Sequence, residues 1–523
     1  MDKGISPIRQ LAKADFHLVL NCKKIVIRFL IQELQMNRSK RCALETLATA
    51  WHFIPWDKVR RLVKSLQQRI AKAIRASRYN KAKALQWMLT HSFAAKLLAV
   101  KRIMENSGKN TAGVDKITWK SSSEKLNAAK SLKRNGYKAK PLRRVYIEKK
   151  NGKKRPLGIP TMYDRAMQAL YHFALEPVSE TLADKCSYGF RPERSTHDAI
   201  QRCYIHLSRK DSATWILEGD IKGCFDNISH QWLTKNIPMD IIILKQWLKA
   251  GFIDKKCLFP SEQGTPQGGI ISPILANMVL DGLEATIDKV MNITFRSDGC
   301  RKNNIYKIHL IRYADDFIIT ATCKEILENT VKPVIDAFLC ERGLQLSGEK
   351  TKITHVEKGL NFLGQHIRKY PSGKLIIRPS KDNFNAVVEK IKHTFVKFRG
   401  ATPAVLIRNL NPIITGWSNY HRHICAKRHF DKLDMIIWKN TWKWARRRHA
   451  NLGKIRIFDK YFIKIGIRKW QFFGKFDDGK VILLRHAGRT KIFRHTLING
   501  CANPYDPAWK NYFLVRNKHK SVA

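Results

Sequence analysis

Two aspartates stand side by side in Tyr313-Ala314-Asp315-Asp316, between the β-rich runs 307–312 and 317–322. Strands on both sides of an Ala-Asp turn lift the carboxylates to the tip of a hairpin, where they escape the burial that Asp resists. Carboxylates presented together on a rigid support suit two Mg²⁺ ions, a cation that takes oxygen ligands and substrate phosphates. A solvated turn is the plain alternative, because Asp is a common turn residue. A third carboxylate upstream favours the metal reading. In 215–229 a short apolar run ends at Asp220, a turn follows with Gly223, and Ser229 caps a helix that begins at His230. Asp220 thus sits at a strand end, where it can meet Asp315 across neighbouring strands. Taken alone, a turn or cap role for it is as good a reading.

Between these carboxylates lies Gly264-Thr265-Pro266-Gln267-Gly268-Gly269, followed by Ser272-Pro273. Glycines let the backbone approach a ligand closely, although such a stretch alone is a loop by default. Ser272-Pro273 predicts a helix start with proline in the first turn. Leu275, Val279 and Leu283 give that helix an apolar stripe for the core. No Ser-His-Asp or Cys-His arrangement stands out, and two-metal transfer needs no protein nucleophile.

The order Asp220…Phe225, Pro266-Gln267-Gly268, Tyr313-Ala314-Asp315-Asp316, Ser347-Gly348-Glu349-Lys350-Thr351 and Phe362-Leu363-Gly364 resembles the palm of reverse transcriptases. Upstream, Arg155-Pro156-Leu157-Gly158-Ile159-Pro160 and Ser187-Tyr188-Gly189-Phe190-Arg191-Pro192 resemble the fingers motifs of the group II intron branch. Downstream, Thr415-Gly416-Trp417-Ser418-Asn419-Tyr420 resembles the maturase thumb, often called domain X. The resemblance runs from about Trp56 to the C-terminus and is to group II intron-encoded reverse transcriptases and maturases. It implies an α+β, right-hand polymerase of fingers and palm, with a helical thumb and a small basic C-terminal DNA-binding region. The implied division is a leader (1–55) without assignment, a basic N-terminal extension (56–108), fingers (109–219), palm (220–379), thumb (380–465) and the DNA-binding region (466–523).

The resemblance also implies roles. Asp220 and Asp315 would ligate two Mg²⁺ ions, assisted by the Ile221 carbonyl and supported by Asp316. Phe225 would lie under the ribose of the incoming deoxynucleoside triphosphate, where a 2′-hydroxyl would clash. Gln267 and Gly268 would line the nucleotide pocket, Arg155 would meet the triphosphate, and Lys350 would approach the pyrophosphate leaving group. Phe362, Leu363 and Gly364 would grip the primer end. The implied activity is RNA-directed DNA synthesis, with assistance to splicing and target-primed copying of the intron. Its partners would be group II intron RNA, target DNA and deoxynucleoside triphosphates.

Composition points the same way. The chain has 523 residues, 98 Lys plus Arg against 42 Asp plus Glu, and a formal charge of +56. So much like charge opposes compaction unless a polyanion offsets it. Between 57 and 102 stand 13 Lys and Arg and one acid, beside the apolar spacing Val59, Leu62, Val63, Leu66, Ile70, Ile74. That pattern predicts an amphipathic helix from Trp56 whose outer face contacts RNA phosphates. A second basic stretch, 439–469, holds 11 Lys and Arg and one acid, with Arg446, Arg447 and Arg448 adjacent; it predicts a nucleic-acid phosphate binder. Trp438 and Trp442 share a helical face, with core packing the first expectation. Asn151-Gly152 predicts a hairpin tip. No stretch approaches 18 uncharged apolar residues, so no membrane partner is expected. The 11 dispersed cysteines lack a Cys-x-x-Cys pair, which argues for reduced packing residues. The N-terminal apolar run 25–31 is broken by Arg28 and follows Lys23-Lys24, so it reads as a helix and not a signal peptide, and serine is sparse for a transit peptide; a cytoplasmic, bacterial setting is expected over an organelle.

A non-catalytic or domesticated splicing factor on the same scaffold is the competing reading. Three clustered carboxylates argue against it, because binding a polyanion does not need them. An RNA-dependent RNA polymerase is disfavoured by Phe225. In many relatives a His-Asn-His endonuclease follows the DNA-binding region. Residues 513–523 hold one histidine, His519, and no cysteine, so a chain without that module is expected.

Overall fold

The computed structural model describes residues 51–148, 152, 154–255, 257–265, 268–295, 301–466 and 468–522. Expectations placed on 1–50, Asn151, Pro266 and Gln267 lie outside them. The basic helix forms as its periodicity requires, over Trp56–Arg75, with Val59, Val63, Ile70 and Ile74 buried. Helices Tyr79–His91 and Phe93–Glu105 follow, and all three pack on Met162–Leu182, a helix buried along most of its length. Beside them lies a sheet in the order β2-β1-β4-β5, formed by β1 (Leu142–Glu148), β2 (Lys154–Ile159), β4 (Phe252–Asp254) and β5 (Cys257–Phe259). The β1 and β2 strands make an antiparallel hairpin.

The central sheet has the order β10-β3-β9-β8, all antiparallel, from β3 (Trp215–Asp220), β8 (His309–Tyr313), β9 (Asp316–Ala321) and β10 (Lys352–His355). Its alternation serves two cores at once. Leu217, Leu310, Phe317 and Ile319 face the helices of the N-terminal half, while Ile216, Ile311 and Ile318 face the C-terminal half. Period-two side-chain placement turns near-continuous apolar runs into a sheet buried on both sides. A two-residue pair, β6 (Thr294–Phe295) and β7 (Arg301–Lys302), lies apart from it. The order is mixed α+β without regular βαβ alternation.

One helix expectation needs correction. Ser272–Leu280 starts with proline in its first turn as expected but stops before Asp281. Gly282 takes φ +93° and caps a separate helix, Leu283–Val290, so Leu283 belongs to a different stripe. The break frees Asp281 to bond Arg312.

Beyond the sheet, β11 (Leu360–Phe362), β12 (Gln365–Lys369) and β13 (Leu375–Pro379) form a small antiparallel sheet. Helices Lys381–Lys397, Pro403–His421, Lys427–Arg448 and Lys454–Tyr461 follow. The region expected to bind DNA continues the same body: β14 (Phe462–Ile465) pairs with β15 (Arg468–Lys475), which pairs with β16 (Val481–Leu483). The chain then runs back over the N-terminal half as a strap. His495 Nε2, the Ile498 amide and Arg516 Nη2 all meet Asp198 Oδ1, at 2.8, 2.9 and 2.8 Å. Tyr505 bonds Glu176, and Arg75 pairs with Asp506 at 2.7 Å. Buried Ile498, Ala502 and Phe513 supply the apolar reason for this docking. Among the described residues no helix is long and apolar enough to cross a membrane.

Candidate active site

Strand β3 ends at Asp220, whose cross-strand partner is Asp316, the first residue of β9; Asp316 in turn faces Tyr313 of β8. The turn between β8 and β9 is only two residues long, Ala314 and Asp315. The register thus sets Asp316, not Asp315, opposite Asp220 on the neighbouring strand, with Asp315 beside them on the turn, where its charge still reaches Asp316. Ala314 takes φ +59°, a left-handed conformation that alanine adopts only under constraint. Gly219 is fixed by packing, since a Cβ there would overlap the ring of Phe317 lying across it.

The third strand contact comes from 345–350. The Lys222 amide donates to Gln345 O at 2.9 Å and the Ser347 amide to Asp220 O at 2.7 Å. These bonds leave the Ile221 carbonyl outside this pairing. They also bring Lys350 Nζ to 2.9 Å from Asp220 Oδ2. Lys350 was expected near a leaving group; its ammonium sits on the carboxylate, which raises its pKa. Desolvation in the cleft, with the charges of Asp315 and Asp220, pushes Asp316 up to about 6, while Lys350 opposes the shift.

Among the described residues no three His, Cys, Asp or Glu side chains converge tightly enough to hold an ion between them. The donor chemistry nevertheless fits Mg²⁺. The charges of Asp315 and Asp220 raise the proton affinity of Asp316, so the cluster is short of positive charge, and an exposed lysine supplies part of it.

The nucleotide-pocket candidates lie around the same end of the sheet. Phe225 is half-buried in the short helix Cys224–Asn227, and its carbonyl accepts from the Thr265 amide at 2.6 Å. At the other end of that loop, a Cβ on Gly268 would meet Gly158 O at 2.8 Å and Leu157 at 2.9 Å. The glycine-rich loop therefore bridges Phe225 and β2, the strand that carries exposed Arg155. Phe190 was missed as a site residue. It is 56% exposed, takes φ +56°, and stands edge-on to Phe225 with ring centroids 6.5 Å apart. The signal available was Gly189 beside it, because a Cβ there would overlap the Ala314 amide.

The primer-grip candidates form a second tight turn. Phe362 pairs with Gln365, and Leu363 and Gly364 between them take φ +49° and +73°. Tyr420 Oη donates to Leu363 O at 2.7 Å. Asn383 Oδ1 lies 2.8 Å from Trp417 Nε1 and 2.9 Å from His421 Nε2, and a Cβ on Gly364 would meet the Asn383 amide at 2.7 Å. The motif 415–420 thus holds the hairpin tip. Phe362 itself is buried, so its ring packs in the core and only backbone and Leu363 stand at the tip.

Of the three arginines, Arg446 and Arg447 project from the end of Lys427–Arg448. Arg448 instead donates to Ala401 O and lies 4.6 Å over the Trp444 ring. Trp438 departs from core packing: it is 40% exposed and meets Trp470, itself 45% exposed, edge-on at 6.1 Å.

Three family models match in this order: the N-terminal domain of reverse transcriptase at 51–132, reverse transcriptase (RNA-dependent DNA polymerase) at 147–367, and the group II intron maturase-specific domain at 384–462. Protein YkfC of Escherichia coli (strain K12) is 32% identical over 307 residues, 51% of this chain and 79% of that one. The group II intron-encoded protein LtrA of Lactococcus lactis subsp. cremoris is 33% identical over 336 residues. That match covers 53% of this chain and 55% of LtrA, so the chain spans about half of that relative's length. Maturase-like protein 1 of Euglena gracilis is 26% identical, over 70% of this chain and 76% of that protein.

Proposed function

The chain belongs to the family of group II intron-encoded reverse transcriptases with a maturase-specific domain, and from that membership we propose an RNA-directed DNA polymerase that binds its intron RNA and assists its splicing. One observation carries the catalytic half: Asp220 and Asp316 in register, Asp315 on the adjoining turn, and Lys350 Nζ at 2.9 Å from Asp220. Mg²⁺ would be held by Asp220, Asp315 and the Ile221 carbonyl, with Asp316 beside them. When bound, such ions supply the charge that activates a primer 3′-hydroxyl and steadies a leaving pyrophosphate.

The protein's own groups do the rest. Phe225 with Phe190 beside it closes the sugar side of the pocket. Gly268 lets the loop backbone approach the nucleotide, and Arg155 on β2 reaches the triphosphate. The Leu363-Gly364 turn presents backbone to the primer. Arg446 and Arg447, with Arg69 and Lys72 on the N-terminal helix, contact RNA phosphates. Arg69 and Lys72 line an open groove of about 440 Å³ closed on one side by Asp506 and Pro507. Residues 220–379 serve as palm and 380–465 as thumb.

The test pairs two assays on one protein. Asp315→Asn should lose RNA-templated DNA synthesis by on the order of 10³-fold or more, while intron splicing stays near wild type. Primer extension equal to wild type would overturn the assignment. Arg446→Gln with Arg447→Gln should instead weaken RNA binding and lower the salt slope by about 1.5, as roughly two fewer counterions are released.

A further inference from the structure

Arg312 is fully buried one strand behind the carboxylates. Its Nη1 donates to Asn277 Oδ1 at 3.3 Å and to Ala314 O at 3.4 Å, and its Nη2 bonds Asp281. Asn277 Nδ2 donates in turn to Gly189 O at 2.8 Å, and Gly189 lies flat on the Ala314 amide. The backbone of β8 is also pinned from that side: Tyr188 N donates to Arg312 O at 2.9 Å, and Arg312 N to Cys186 O at 3.0 Å. The guanidinium therefore reaches Ala314 twice, directly at its carbonyl and through Asn277 and Gly189 at its amide. Arg312 supplies the charge that faces buried Asp281, as Arg191 and Arg194 face Glu180, but a lysine would supply a positive charge there too. What a lysine lacks is the planar fork that reaches Asp281, Asn277 and a carbonyl together.

We propose that Arg312 is a positioning residue that holds Ala314 left-handed and thereby aims the Asp315 carboxylate. Its consequence for catalysis rests on the polymerase reading above. The energetic logic is specific to the residue held. Alanine pays a penalty at positive φ that glycine does not, so the brace is needed only while residue 314 carries a Cβ.

Arg312→Lys should weaken Mn²⁺ binding, followed by the electron paramagnetic resonance of the free ion, about tenfold. The same variant should lower kcat for RNA-templated synthesis on the order of 10²-fold, with KM for deoxynucleotide within about twofold. Adding Ala314→Gly should restore at least about tenfold of both, because glycine takes the turn unaided. A merely structural arginine gives no such rescue. A double variant no better than Arg312→Lys, or an Arg312→Lys protein equal to wild type, overturns the proposal. If Arg312→Lys is not recovered folded, Asn277→Ala removes one arm of the brace and should show the same direction and the same rescue, about fivefold; absence of rescue there overturns it equally. Wild-type protein that binds Mn²⁺ yet makes no DNA would sink the polymerase reading while leaving the brace intact. Wild-type protein without saturable Mn²⁺ binding would sink the brace's purpose.

Discussion

Two hairpin tips in this molecule share a geometry and differ in what holds them. Each is a two-residue turn, Ala314-Asp315 and Leu363-Gly364, and each puts a residue with a Cβ at positive φ. The first is braced from within its own half of the protein, by Arg312, Asn277 and Gly189. The second is braced from the helical unit beyond it, by Tyr420, Trp417 and His421 acting directly or through Asn383. The hydrogen bonds behind the carboxylate turn come from outside the helical unit, although Tyr313 beside it packs against the core those helices share. The 363–364 turn is bonded directly to the helices. Strain is placed where function is proposed in both cases, but only one of the two is held by hydrogen bonds from the helical unit.

Asn383→Ala strikes the second turn hardest. It leaves Trp417 Nε1 and His421 Nε2 without their acceptor, a loss of about 2–4 kcal/mol by the usual cost of orphaned buried donors. Urea unfolding should show it, and the length of primer-extension products should shorten. The rate of a single nucleotide addition at saturating primer should change little; an equal fall in both would show that the two turns are not independent. Tyr420→Phe removes one bond to the Leu363 carbonyl and should cost about 1 kcal/mol, with the same split between product length and single-addition rate at smaller amplitude. A full loss of synthesis in that variant would break the comparison.

The smallest effect belongs to the first turn and is a pH dependence. Asp316 has its pKa raised from 3.8 to about 6 in the folded protein. A carboxyl that binds its proton more tightly when folded stabilises the fold fully below about pH 3.8, and that contribution is lost as pH rises through about 6. Asp316→Asn should therefore gain in melting temperature over wild type between pH 5 and pH 7.5 without divalent ions. Millimolar Mg²⁺ should close the gap by offsetting the carboxylates. Identical pH profiles for the two proteins would falsify the charge crowding.

Local chemistry was legible where one residue type has few uses. The β-rich runs around 313–316, the strand end at Asp220, the Ser229 cap and the helix from Trp56 all form as their sequence patterns require. What escaped was set by distant partners. Which of Asp315 and Asp316 stands opposite Asp220 depends on the length of the turn, and the groups packed on that turn are buried Arg312 and Gly189, the latter more than a hundred residues upstream. Phe362 looked available because a Phe-Leu-Gly turn is short and local, but a core built from three separate segments claims its ring. The strap has too little periodicity to announce itself, since the irregular chain over 490–506 docks by scattered hydrogen bonds before the helix Lys510–Val522 begins. Trp438 shows the converse: two tryptophans four apart suggested a core, and an exposed edge-on pair with Trp470 is what forms.

Asp198 gives the strap a consequence in time. The residue is fully buried, and burial works against its charge; His495, Arg516 and the Ile498 amide hold its pKa down at about 2. The arginine that completes this set lies 318 residues further along the chain. At a translation rate of roughly 5–20 residues per second, the ribosome needs on the order of half a minute to deliver it after Asp198 emerges. Over that interval Ser195 serves one oxygen of Asp198 while the other lacks the partners the strap brings, so this corner of the structure closes only after synthesis has passed the far side of the molecule.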